Sequence, residues 1–186
     1  MKKIICSVIA LLMVLAIIPV SAFALYGYTD IRTEDQLRQI ESDLGGKYRL
    51  IRDITLSGDW TPIGSSERPF TGLLDGNGYK ISGLSVSGSK KGASGLFACV
   101  SGQLIDLDVD GVVSGDNYVG GIAGIVNGGR IVNCIFSGIV VGNNHVGGIV
   151  GDVQTSNANT LISGCTNIAS VYGNDSVGGI AGYVNA

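Results

Sequence analysis

One six-residue unit recurs along this chain and constrains its fold more than any other feature. It reads Val119-Gly120-Gly121-Ile122-Ala123-Gly124, then Val146-Gly147-Gly148-Ile149-Val150-Gly151, then Val177-Gly178-Gly179-Ile180-Ala181-Gly182, with a looser copy at Ala93-Ser94-Gly95-Leu96-Phe97-Ala98. The copies lie 26, 27 and 31 residues apart. Leu107, Cys134 and Cys165 keep the last two offsets, as do Gly115, Gly142 and Gly173, so independent features share one register. Repeats of this length, each too small to bury an apolar face alone, specify a solenoid. Several glycines per unit and β-branched runs such as Ile139-Val140-Val141 disfavour helices and suit strands. The expected fold class is therefore all-β, a parallel β-helix.

In such a coil each strand pairs with its counterpart one turn away, and equivalent residues stack about 4.8 Å apart. Leu96, Ile122, Ile149 and Ile180 are expected to form one inward ladder, each worth roughly 1.5–3 kcal/mol when fully buried. The motif glycines are expected where the chain bends sharply or takes positive φ. The turn pairs Asp116-Asn117, Asn143-Asn144 and Asn174-Asp175 suit bends that tolerate left-handed geometry. The longer last interval implies about four extra residues within Gln154 to Thr160, a polar loop leaving the coil. Its residues Gln154, Thr155, Ser156, Asn157 and Asn159 are the binding-loop candidates.

Lys2 and Lys3, an uncharged run from Ile4 to Ile18, Pro19 and then Ala22-Phe23-Ala24 make residues 1–24 a secretory signal peptide cleaved after Ala24. Retention of that run as an anchor is the alternative; after cleavage no membrane span remains. The mature chain carries 10 basic against 15 acidic residues. A net charge of −5 argues against a nucleic-acid partner, which needs clustered cations. Thr33 and Gln36 resemble a capping box, and Leu37, Ile40 and Leu44 share a helical face, so residues 34–44 are expected as a short helix within an N-terminal cap, 25–47. The cap would cover the first coil of a β-helix spanning 48–186, with repeats at about 93–118, 119–145, 146–176 and an incomplete 177–186. At the other end the sequence stops after a repeat unit with no cap. Either a longer solenoid continues beyond it, or the edge pairs with another chain in self-association.

These units resemble the GLUG-motif proteins, through Gly121-Ile122-Ala123-Gly124 and its copies and, imperfectly, Gly95-Leu96-Phe97-Ala98. The segments Tyr48 to Leu56, Trp60-Thr61-Pro62-Ile63-Gly64 and Phe70 to Gly78 look like the lead-in that often precedes such repeats. The resemblance covers most of residues 30–186. It implies a right-handed parallel β-helix in secreted or surface-attached bacterial proteins, including adhesin-like proteins and the non-catalytic part of some immunoglobulin-A-cleaving metallopeptidases. It carries no catalytic residues over.

Asp106, Asp108 and Asp110 alternate as if along one strand, with Leu107 and Val109 inward. Their carboxylates read first as a solvated acidic face, second as a weak cation site for Ca²⁺, and last as acid–base groups acting on a sugar. Asp75-Gly76-Asn77-Gly78 reads as a tight turn. Asn174-Asp175-Ser176 matches a glycosylation acceptor only formally. Cys134 and Cys165 read as stacked buried thiols; a disulfide between them is the alternative, although side chains on stacked parallel strands fit its torsion poorly. Cys99 reads as unpaired. His145, the only histidine, reads as an exposed turn residue. Trp60 is expected in the core or cap, whereas Tyr172 and Tyr183 could stack on a sugar.

No catalytic set and no required cofactor emerge. The function expected is a non-enzymatic secreted or cell-surface module, an adhesin-like ligand-binding face or a spacer, with an extracellular protein or glycan as partner. The alternatives are a polysaccharide lyase or hydrolase on a β-helix, argued from fold analogy alone, and the non-catalytic leading part of a larger secreted peptidase.

Overall fold

The strands stack in register because each coil repeats the residue pattern of the one before it. In the computed structural model, which describes residues 27–88, 92–155 and 160–185, all strand pairs are parallel and build a β-solenoid of about five turns. The segment 1–24, expected as a signal peptide, lies outside the described residues. The first sheet stacks Thr29–Ile31, Lys47–Leu50, Leu73–Asp75, Gln103–Ile105, Arg130–Val132 and Leu161–Ser163. The second stacks Ile54–Thr55, Lys80–Ser87, Asp108–Ser114 and Ile135–Val141, and on the last of these lie both Thr166–Asn167 and Ser170–Tyr172. The third holds Phe97–Val100, Ala123–Asn127, Val150–Gln154 and Ala181–Asn185, and the fourth Asn117–Gly120, Asn144–Gly147 and Asp175–Gly178.

The register matches the repeat offsets. Ala123 pairs with Val150 and Val150 with Ala181, while Ile122 and Ile149 donate their N–H groups to the carbonyls of Ile149 and Ile180, each at 3.0 Å. Leu96, Ile122 and Ile149 are fully buried, whereas Ile180, in the last described coil, is 36% exposed. Asn127 pairs with Gln154 and Gln154 with Asn185, but Arg130 pairs with Leu161, so the extra residues fall between Gln154 and Leu161 as expected. One alignment slips. Ser94, not Ala93, bridges Val119, while Phe97 pairs with Ala123. The first copy has only one glycine at the bend, so a residue is missing there and buried Ser94 takes the valine place.

The motif glycines do not take positive φ. The left-handed corners fall instead on Tyr118, His145 and Ser176 (φ 55, 51 and 54°) and, one corner earlier in the coil, on Asp106, Asn133 and Gly164. The Asp/Asn pairs expected to take that geometry precede the corner, where their amides bond from coil to coil. The glycines serve close approach. A Cβ on Gly121 would sit 2.2 Å from Cγ of Phe136, and one on Gly151 would sit 2.5 Å from the backbone of Tyr118 and Val119. The second contact shows that the fourth sheet folds against the outer side of the third.

At the N-terminal end the expected helix is shorter than its apolar spacing suggests: an α-helix over Glu34–Arg38 passes into a 3₁₀ turn over Gln39–Ser42. The Ser42 hydroxyl donates to the Gln39 carbonyl at 2.7 Å, which offers the backbone an alternative to the next α-helical bond. The capping box forms on one side, Gln36 N–H donating to Thr33 Oγ1, while the Gln36 side chain accepts from Arg32 N–H rather than from Thr33. Leu37 and Ile40 are fully buried, and Arg38 lies 4.4 Å above the ring of buried Trp60, whose indole N–H donates to the Leu96 carbonyl. This short element joins the solenoid core at its first coil.

Candidate functional site

Beside Gln154 and Thr155, at the base of the insertion, lies a cluster that spans three coils. Asp152 is only 4% exposed, the one buried acidic or basic side chain among the described residues, in a column where the paired strands carry Ile125 and Tyr183. Because the fourth sheet folds over the third, its corner residues cover this column. Tyr118 packs against the small buried cluster of Ala93, Ala98, Cys99 and Ile125, and His145 lies over Asp152. His145 Nδ1 faces Asp152 Oδ1 at 3.4 Å, and neither atom has a hydrogen-bond partner within normal length. The other carboxylate oxygen accepts from Gln154 Nε2 at 2.9 Å. The imidazole stacks on Tyr183 at 4.5 Å and meets the edge of Tyr118 at 5.2 Å. His145 is thus a corner residue, as expected, but it is not an exposed one: its side chain is 26% exposed and clamped between two rings.

The loop is tied down at both ends. Thr155 donates through its N–H (3.2 Å) and its hydroxyl to the Asn185 carbonyl, and the Thr160 hydroxyl donates to the Gln154 carbonyl while accepting from Gly128 N–H. Of the binding-loop candidates, Gln154 and Thr155 belong to this base; Ser156, Asn157 and Asn159 lie outside the described residues. An amide, an imidazole, a buried carboxylate and the 42%-exposed Tyr183 therefore meet at the foot of a polar loop. That set can bind a ligand by hydrogen bonds and ring stacking. It does not form a hydrolytic triad, since the Ser176 hydroxyl donates to Asp175 at 3.3 Å rather than to His145.

The three aspartates do not share one strand. Asp106 occupies the left-handed corner ahead of Asp108–Ser114 and accepts from Asn133 Nδ2 at 3.1 Å. A corner residue breaks the alternation that sequence spacing suggested. Asp108 and Asp110 do share a face, where Lys80 Nζ sits 3.7 and 3.1 Å from them. Partial burial acts to raise the Asp110 pKa, but bonds from Gly83 N–H, Lys80 and Ser82 outweigh it and hold the carboxyl below its usual range. Lys80 is shifted the other way, its ammonium favoured chiefly by the bond to Asp110. Among the described residues no three His, Cys, Asp or Glu side chains come together in a way that could hold a metal ion.

Cys99, Cys134 and Cys165 are all free thiols. Burial raises Cys99 to about 11. Cys134 and Cys165 occupy one column, as expected, and their thiols lie within reach of main-chain carbonyls, Cys134 of Val132 at 3.4 Å and Cys165 of Ile131 at 3.5 Å. The neighbouring Cys165 thiol and burial push Cys134 up, while Cys134 in turn lowers Cys165, the less buried of the two, to about 7.

Spacing alone did not reveal the His145 and Asp152 cluster, because these residues belong to different columns of the repeat. The available signal was chemical: a carboxylate in a column that otherwise holds Cys99, Ile125 and Tyr183.

Among the described residues no helix is long and apolar enough to cross a membrane. No family model matches the chain. A protein of Evansella cellulosilytica described as "Putative Gly-rich membrane protein" is 30% identical over 92 residues, covering 44% of this chain and 11% of that protein's length. The fold is similar to a crystal structure described as "a putative immunoglobulin A1 protease from Bacteroides ovatus", at a TM-score of 0.65 and 20% identity, over 87% of this chain and 63% of that one. At that identity the second likeness shows the fold: the chain is a parallel β-solenoid of the kind found in that bacterial protein.

Proposed function

We propose that the chain is a non-enzymatic module exported from the cell, which binds an extracellular protein or glycan at the foot of the loop Gln154 to Thr160. One observation carries this reading: a buried carboxylate joined to Gln154 and facing His145, with Tyr118 and Tyr183 against the imidazole, where a polar insertion interrupts the repeat. Burying a charge without full pairing costs free energy, and proteins keep such groups at sites that use them. The acidic strand face supports a structural role instead, because a calcium ion at Asp108 and Asp110 would have to displace Lys80. The fold likeness supports a second reading, that the module precedes a catalytic part in a longer secreted peptidase.

The test is binding of the purified protein to immobilised mucin glycoprotein, glycan panels and extracellular-matrix proteins. Gln154→Ala and Tyr183→Ala should each weaken a captured ligand about tenfold, the loss expected when one hydrogen bond or ring contact worth about 1.4 kcal/mol is removed, with the fold retained in circular dichroism; Gln154→Ala also leaves buried Asp152 without its donor and lowers the melting temperature. Release of reducing or unsaturated ends from acidic polysaccharides, abolished by Asp108→Asn, would overturn the non-enzymatic reading.

A further inference from the structure

Two of the free thiols stand one above the other where the first sheet turns into the second. Cys134 follows the left-handed corner at Asn133, and Cys165 follows the equivalent corner at Gly164. Main-chain bonds fix the coils on both sides of the pair: Asn133 N–H donates to the Ser163 carbonyl and Thr166 N–H to the Cys134 carbonyl, each at 2.9 Å. The two sulfurs repeat one set of contacts. Cys134 Sγ lies 3.7 Å from the Leu104 carbonyl oxygen and 3.4 Å from that of Val132, while Cys165 Sγ lies 3.5 and 3.6 Å from those of Ile131 and Ser163. Leu104 pairs with Ile131 and Val132 with Ser163, so the second set is the first moved along by one coil. The sulfurs are therefore one coil step apart, about 4.8 Å.

That spacing decides what the pair can hold. A disulfide needs its sulfurs at about 2 Å, less than half the step between coils. An ion with one thiolate on each side, at about 2.3 Å from each, spans about 4.6 Å, close to the step itself. Near-linear binding by two thiolates suits soft closed-shell monovalent cations, Cu⁺ and Ag⁺. A structural Zn²⁺ requires a tetrahedron of four ligands. Among the described residues no three His, Cys, Asp or Glu side chains are grouped so as to begin one.

We infer that Cys134 and Cys165 form a two-thiolate site for a soft monovalent cation of the copper(I) class, held between consecutive coils. Each thiol releases its proton to solvent as its sulfur takes the ion, and no electron changes hands. Because the stacked coils alone present both sulfurs at this spacing, the ion stabilises the folded chain. The site lies at a different corner from Gln154, His145 and Asp152, and neither reading depends on the other.

The probe is Ag⁺, which needs no reductant, titrated in chloride-free buffer into the full chain carrying Cys6→Ser and Cys99→Ser, so that the pair are its only thiols. One ion per chain should bind, and X-ray absorption at the silver edge should show two sulfur neighbours and no third. Cys165→Ala, at the less buried of the two positions, should weaken uptake by more than the roughly hundredfold that loss of an outer-shell partner can cost, with circular dichroism unchanged. Cu⁺ supplied without oxygen should compete for the site, and equimolar Zn²⁺ should not. Uptake indifferent to Cys165→Ala, three or more sulfurs around the ion, displacement by Zn²⁺, or no stoichiometric uptake overturns the proposal.

Discussion

Gly121, Gly148 and Gly179 hold the same place in the repeat but differ in what a side chain there would meet. A Cβ at Gly121 would lie 2.2 Å from the Phe136 ring, and at Gly148 2.3 Å from the Asn167 amide, whereas at Gly179 it would meet nothing within 4 Å. Overpacking of this kind costs about 1–3 kcal/mol. Gly121→Ala should therefore lower stability by that amount in urea unfolding, while Gly179→Ala changes it by less than about 0.5 kcal/mol, as an unconstrained surface position does. The contrast shows why the sequence was only partly legible at this scale. Glycine spacing identifies the repeat, but glycine can be required by backbone angle or by proximity, and only coordinates separate the two. At the corner ahead of the motif the left-handed angles sit on Tyr118, His145 and Ser176, three different residue types, so no shared composition marks that column, and the geometry turns His145 onto Asp152.

At the level of the strand and its neighbours, the ladder of Leu96, Ile122, Ile149 and Ile180 was readable in advance because parallel pairing converts equal spacing in sequence into contact in space. The same logic located the insertion between Gln154 and Leu161. It failed where two columns meet through packing of one sheet on another, a relation with no fixed spacing. It failed again at Asp106, where a corner interrupts the alternation that Asp106, Asp108 and Asp110 suggest. The ladder also grades its own energetics. Ile149→Ala removes fully buried methyl groups between two coils and should cost about 2–5 kcal/mol. Ile180→Ala acts on a side chain 36% exposed, and should cost under half as much in the same denaturation series.

Taken whole, the described coils differ along the axis. Leu37 and Ile40 of Glu34–Ser42 are fully buried against the first coil, whereas Val177, Ile180 and Val184 of the last described coil are exposed. Because a solenoid's stability is a sum of coil and nearest-neighbour terms, local opening should begin in the coil that buries least. Amide hydrogen exchange should find the strands from Leu161 to Asn185 losing protection first and the strands from Leu73 to Val141 last. Uniform protection along the axis would contradict this account. The amide columns have a further consequence, for how the coils keep their phase. Asn143 and Asn174 each donate a side-chain N–H to the coil before, at Asp116 and Asn143, and Asn144 does the same to Asn117. A coil that slipped by one residue against its neighbour would break these columns and turn its aliphatic ladder outward at once, so a single register satisfies both.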